Sequence, residues 1–247
     1  MEKRTALIIG ASSVGGLGEA AARRLAQDGC AIILAGRAVE RLAPLAQALD
    51  ADVVSCDILD EAAIAALAER AGPVDVLVNA SGTTLGRSIL KTTRADIEAQ
   101  LAMHVTANIL LLKHFGAIMP RGASIILFSS VVSRLAGQGL VAYSAAKAAL
   151  DHVVRIAALE FGPLGIRVNA VAPGFALTPM TEAFLSNARL DALYRRETAL
   201  GELTQPDQVA AAISYLAAID CYTTGDIMQI SGGAQLCRLP RIEELKA

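Results

Sequence analysis

Short runs of aliphatic residues, apolar on both sides, alternate along this chain with helix-patterned stretches. Leu7-Ile8-Ile9, Ala31 to Ala35, Asp52-Val53-Val54-Ser55, Val74 to Val78, Ser124 to Phe128, Ile166 to Val171 and Ile227 to Ile230 read as strands. Glu19 to Gln27, Val39 to Leu49, Glu61 to Ala71, a long helix from about Arg94 to about Ile118, and Ser144 to Phe161 read as helices between them. A strand that is apolar on both faces must be covered on both, and the intervening helices supply that cover. The expected fold is α/β: a Rossmann-type, doubly wound parallel sheet of about seven strands with helices on both faces, in one domain spanning 1–247. Thr204-Gln-Pro-Asp207 reads as a capping box that opens a helix toward Ala218. The stretch Ala176 to Gly201 breaks the alternation. Connections of that length commonly serve as substrate lids, and Phe175, Leu177, Met180, Phe184 and Leu185 make this one partly apolar.

Composition removes several function classes. With 54% hydrophobic and 19% charged residues the chain can bury a core, which excludes a disordered protein. A net charge of −2 and scattered basic residues leave no footprint for nucleic acid. Ala6 to Ile9 is too short for a secretory h-region, and no apolar run approaches the roughly 20 residues of a membrane span. Cys30, Cys56, Cys221 and Cys237 form no CxxC pair. Reduced thiols, a cytoplasmic location, no membrane partner and no metal are the expectations.

The first strand runs into Gly10-Ala-Ser-Ser-Val-Gly-Gly-Leu-Gly18, and a helix follows at once. Glycines admit a pyrophosphate to the backbone, and a helix N-terminus offers amides and partial positive charge. Nucleotide binding is therefore expected here. At the end of the second strand, Gly36 stands where an NAD site carries an acidic residue for the ribose 2′-hydroxyl. The neighbouring Arg37 suits a 2′-phosphate, so NADP(H) is the expected cofactor and NAD(H) the alternative.

Taken together, these and further motifs resemble the short-chain dehydrogenase/reductase family over nearly the whole chain. Asp57 follows the third strand, and Asn79-Ala80-Ser81-Gly82 follows the fourth and is similar to the family's Asn-Ala-Gly stretch. Ser130 lies thirteen residues before Tyr143, and Tyr143-Ser-Ala-Ala-Lys147 matches Tyr-x-x-x-Lys. Asn169 to Gly174 with Thr178 resembles the nicotinamide-flanking loop; Thr223-Thr224-Gly225 and Gly232-Gly233 resemble the C-terminal signature. The resemblance implies cofactor contacts from Gly10, Ser12, Ser13, Gly16, Leu17, Gly18, Arg37, Asp57, Ile58, Asn79, Ala80, Gly82, Tyr143, Lys147, Pro173, Gly174 and Thr178. It implies catalytic roles for Ser130, Tyr143 and Lys147, and dimers or tetramers formed through the Ser144 to Phe161 helix. That helix holds more apolar residues than one core stripe needs. The nearest pattern is the 3-oxoacyl-(acyl-carrier-protein) reductase branch.

Two departures stand out. The glycine loop is two residues longer than usual, as in the enoyl-reductase branch. That branch, however, separates its Tyr and Lys by six residues, which would put the lysine where Leu150 is. The family's catalytic Asn falls at His104, with Asn108 one turn later. Imidazole both donates and accepts, so His104 can join a proton relay or serve only structurally.

The chemistry expected of Tyr143 and Lys147 follows from their spacing. Four apart on a helix, they share a face. An ammonium beside a phenol favours the phenolate and lowers a pKa that starts near 10. Ser130, with Ser129 its rival, follows the fifth strand and is placed to steady the substrate oxygen. The expected activity is interconversion of a small-molecule carbonyl and a secondary alcohol by hydride transfer, with a 3-oxoacyl thioester as one substrate. The alternative is a non-catalytic NAD(P)-binding regulator of the same fold.

Overall fold

The computed structural model describes residues 3–179, 181–182 and 186–246. Met180, Phe184 and Leu185 of the expected lid lie outside the described residues. In chain order the principal elements begin β1 (Thr5–Ile9), α1 (Leu17–Gln27), β2 (Ala31–Gly36), α2 (Val39–Leu49), β3 (Asp52–Ser55), α3 (Glu61–Ala71) and β4 (Val76–Asn79). Next come α4 (Arg94–Leu101), a π-helical turn (Ala102–Thr106), α5 (Ala107–Gly116), β5 (Ser124–Phe128), α6 (Val141–Phe161) and β6 (Arg167–Pro173). The last are α7 (Ala188–Arg196), α8 (Pro206–Ala217), β7 (Ile227–Ile230) and α9 (Ile242–Lys246).

The seven strands form one parallel sheet in the order β3-β2-β1-β4-β5-β6-β7. Alternation within β1 shows why both faces are covered. Ala6 and Ile8 pack toward α1, α2 and α8, while Leu7 and Ile9 pack toward α3, α5 and α6. The strand order reverses between β1 and β4, and a ligand crevice opens at the C-terminal ends of the strands at such a switch point.

Local differences from the sequence reading have physical causes. The long helix expected from Arg94 is widened into a π turn, with Ala107 N–H bonding back to Ala102 O. Asn108 Nδ2 donates to the His104 carbonyl at 2.9 Å and helps hold the widened turn. Such turns recur at functional sites. The helix after Thr204 opens one residue later than expected: Gln205 is its N-cap, and Gln205 and Gln208 make the capping box. Thr204 is instead drawn to the sheet, bonding Ile230 O through Oγ1 at 3.1 Å and pairing with Ala176. Helix α6 begins at Val141, ahead of the expected Ser144, so Tyr143 sits in its first turn.

Candidate active site

Two joined clefts open along the C-terminal strand ends. The first, about 280 Å³, is lined by Gly10, Ser12, Ser13, Gly16, Leu17, Gly18, Arg37, Asp57, Ile58, Ala80, Gly82 and Thr178 among others. These residues come from the ends of β1, β2, β3 and β4, which the parallel register brings side by side. Two glycines make the close approach. A Cβ on Gly10, whose φ is +90°, would lie 2.5 Å from Ser81 N. One on Gly18 would lie 2.3 Å from Gly10 O. The loop's extra length goes outward. Val14 is 81% exposed, and Gly15 N–H is taken by Glu19 at 2.7 Å. The remaining loop residues and the first turn of α1 keep a cradle suited to a pyrophosphate.

Asn79 is not on the cleft wall. It is buried, donates to Asn108 Oδ1 at 2.9 Å, and accepts from the Ser81 amide and hydroxyl. It therefore braces the Ser81-Gly82 turn from behind.

The second cleft, about 510 Å³, shares Leu17, Ala80, Ser81, Gly82, Thr83 and Thr178 with the first. Its walls include His104, Ser130, Tyr143, Lys147, Pro173 and Gly174. Ser130, Tyr143, Lys147 and His104 thus meet in one place. The Tyr143 side chain hydrogen-bonds Ser130 and Thr84. Lys147 Nζ stands 5.7 Å from the Tyr143 ring centroid and donates to Phe128 O at 2.6 Å. Ser129 turns away, and its hydroxyl donates to the Asp151 carboxylate. Of the rival serines, Ser130 is the one at the phenol.

Electrostatics here differ from the expectation drawn from spacing. Burial dominates and raises the Tyr143 pKa, against the hydrogen bonds of Ser130 and Thr84. Burial also lowers Lys147 to about 7, with Asp151 opposing it. The protonated phenol, the form that donates in carbonyl reduction, is thereby favoured.

His104 is buried in the π turn, its ring edge-to-face on Tyr143 with centroids 5.4 Å apart. Burial, with the Lys147 charge adding to it, lowers its pKa to about 4, so the ring is neutral near pH 7. Nε2 lies 2.8 Å from Thr83 O, which can only accept, so the proton belongs on Nε2. That leaves Nδ1 as a buried acceptor with no partner among the described residues. Gly82 makes room for the ring: a Cβ there would lie 2.9 Å from His104 Cε1.

Several wall residues had no sequence signal. Thr84 and Leu140 come from loops, Tyr194 comes from α7 and stacks at 4.0 Å on Phe175, which the sequence places with the lid, and Leu239 comes from the C-terminal segment. Arg238, beside it, pairs with Glu197 at 3.0 Å and Glu244 at 2.6 Å, tying that segment to the end of α7. Asp151 did carry a faint signal, as a carboxylate one turn beyond Lys147 on an otherwise apolar face.

Among the described residues no helix is long and apolar enough to cross a membrane. The four cysteines are free thiols, with Cys30, Cys56 and Cys221 buried.

Comparison with known proteins agrees with this geometry. Residues 10–235 match the family described as Enoyl-(Acyl carrier protein) reductase. The chain is 34% identical to cis-4-hydroxycyclohexanecarboxylate dehydrogenase of Sinomonas cyclohexanicum, over 94% of this chain and 96% of that protein. It is 33% identical to a 3-oxoacyl-(acyl-carrier-protein) reductase of Thermotoga maritima, covering 94% and 98%. A short chain dehydrogenase from Burkholderia cenocepacia J2315, solved in complex with NADP, superposes with a TM-score of 0.84 at 30% identity, covering 94% and 97%. The seven-stranded parallel sheet, the glycine cradle and the Tyr143–Lys147 pair accordingly place this chain in the short-chain dehydrogenase/reductase family, whose members are oxidoreductases.

Proposed function

We propose that this enzyme interconverts a carbonyl and a secondary alcohol with NADP(H). The observation that carries the reading is the Tyr143 hydroxyl, bonded to Ser130 beside Lys147, where the glycine-lined cleft joins the second cavity. Bound in that joint, a nicotinamide supplies or accepts the hydride. Tyr143 gives its proton to the carbonyl oxygen in reduction and takes it back in oxidation. Ser130 steadies that oxygen, and Lys147 supports the phenol and holds the cofactor's ribose. Gly10, Ser12, Ser13, Gly16, Leu17 and Gly18 hold the pyrophosphate; Asp57 and Ile58 flank the adenine. Ala80 and Gly82, with Asn79 behind them, and Pro173, Gly174 and Thr178 frame the nicotinamide. A regulator that only bound the nucleotide would have no use for an assembled proton donor.

The surface of the second cavity is mostly apolar, with Val132, Leu140, Phe175 and Leu239 on its walls. They support a partly apolar substrate, with a 3-oxoacyl thioester as the specific choice. The segment 176–201 acts as the lid, anchored by Leu177 N–H to Thr204 O at 2.9 Å. On α6, Ile156 and Leu159 are exposed, as are Ile97 on α4 and Ile109 on α5. That apolar surface supports a homodimer or homotetramer. The test of function is an NADPH and NADH oxidation screen over ketones and 3-oxoacyl thioesters. No turnover with any of them would sink the enzyme reading.

Arg37 is exposed on the first cleft beside Gly36. Charge-assisted bonds to a phosphate contribute about 1.5–3 kcal/mol, so Arg37→Ala should weaken NADPH roughly 10- to 100-fold. NADH should change little; equal losses for the two would remove Arg37 from the 2′-phosphate.

His104→Asn tests the relay. Asparagine also presents a donor and an acceptor, so kcat should hold or rise. A fall of more than about tenfold, 1.4 kcal/mol of barrier, would show that the imidazole does something else.

A further inference from the structure

Asp151 is the one acidic residue buried among those described. A carboxylate leaves water only at a cost, so one retained beside a reaction centre calls for a partner. It has two. The Ser129 hydroxyl donates to it from just beyond the end of β5. One turn earlier on α6 lies Lys147, whose ammonium its charge favours. Lys147 in turn donates to Phe128 O. Consecutive residues at the end of β5 thus fix both members of a buried charge pair.

Among the described residues the other charges around α6 are engaged elsewhere or exposed, Arg94 with Glu98 on α4 among them. On the neighbouring helices Asp96 pairs with Arg87, and Lys113 and His114 pair with Glu61. On β6, Arg167 bonds the carbonyls of Leu216 and Ala218. Arg134, beyond β5, and His152, Arg155 and Glu160 of α6 itself are exposed. The only charge shared with the π turn would be that of His104, which is neutral near pH 7.

We propose that Asp151 is a positioning residue of the reaction: its buried negative charge keeps the proton on Lys147 beside Tyr143 and so sets the upper pH limit of carbonyl reduction. The inference rests on Tyr143 being the proton donor. A negative charge favours the protonated form of Lys147, and the ammonium it preserves favours the phenolate of Tyr143, so the lysine and the phenol are biased in opposite directions. Groups this close lose protons as a couple, and the alkaline limb of the reduction profile reports the couple. With burial already holding Lys147 near 7, removal of the opposing charge leaves the lysine neutral at the pH where reduction works.

Asp151→Asn removes the charge, while its amide oxygen still accepts from Ser129. Ser129→Ala does the reverse. Ethyl acetoacetate reduction by NADPH is followed from about pH 5 to 10 in the wild type and both variants. Separately, tyrosinate absorbance is titrated in each, with its Tyr143→Phe counterpart subtracted. Asp151→Asn should move the alkaline limb down by about one pH unit, tenfold in proton concentration, as Lys147 gives up its proton sooner, and should move the Tyr143 tyrosinate up, as the phenolate loses its ammonium. Ser129→Ala should leave both in place. Unmoved curves in a folded Asp151→Asn protein, or curves that move only in Ser129→Ala, would overturn the proposal and reduce Asp151 to a tie between α6 and β5. If the wild type reduces nothing, the reductase reading fails. The tyrosinate titration needs no substrate and still decides the role of Asp151.

Discussion

Replacing Tyr143 by phenylalanine is expected to lower kcat for carbonyl reduction by about 10³-fold while NADPH still binds. A positioned general acid contributes roughly 10²- to 10⁴-fold. The upper part of that range applies because no neighbour can replace the phenol. His104 has its proton committed to Thr83 O and a pKa of about 4, which leaves it a poor acid at neutral pH. Lys147 points to Phe128 O. The substitution removes one oxygen and no ring packing, so the edge-to-face contact with His104 survives. Single-turnover reduction and NADPH fluorescence titration separate the two effects. A kcat within about tenfold of wild type would assign the proton to another group.

Gly18→Ala should act on the cofactor first. The new methyl would lie 2.3 Å from Gly10 O and 2.8 Å from Gly10 C, where backbone cannot yield without moving the cradle. Helix α1 must retreat from the end of β1, and its first-turn amides leave the phosphate position with it. Overpacking of this kind costs about 1–3 kcal/mol, which for a chain of this size lowers Tm by several degrees. The NADPH Kd should rise about 100-fold or more, since several backbone contacts shift together. Calorimetric titration on the folded variant checks it. A Kd close to that of wild type would mean that the pyrophosphate does not sit against this turn.

Much of the architecture was legible because its signals are local. Leu7-Ile8-Ile9 has no polar face, which already demands cover on both sides of the sheet. The glycine loop lies between strand and helix in the sequence itself, and the helical repeat alone puts Tyr143 and Lys147 on one face. Boundaries were less legible. The capping residue of α8 went to Gln205 because the sheet edge claimed Thr204. The Arg94 helix gained a π turn through a side-chain bond from Asn108 that no periodicity announces.

The balance of charge at the site was beyond the sequence for the same reason. Spacing supplies an ammonium near a phenol. Only packing reveals that burial outweighs it, raising the phenol and lowering the lysine.

The sequence by itself determined the layered sheet, the dinucleotide cradle and the tyrosine–lysine pair, since each is written in residues that are neighbours along the chain or one helical turn apart. Tertiary structure decided which serine meets the phenol, which nitrogen of His104 carries the proton, and that Asp151 is buried against Ser129. Those outcomes depend on contacts between residues some twenty positions apart, Thr83 with His104 and Ser129 with Asp151. Such contacts exist only after β4, β5 and α6 have closed on one another, because burial, and with it the effective dielectric, is a property of the assembled core.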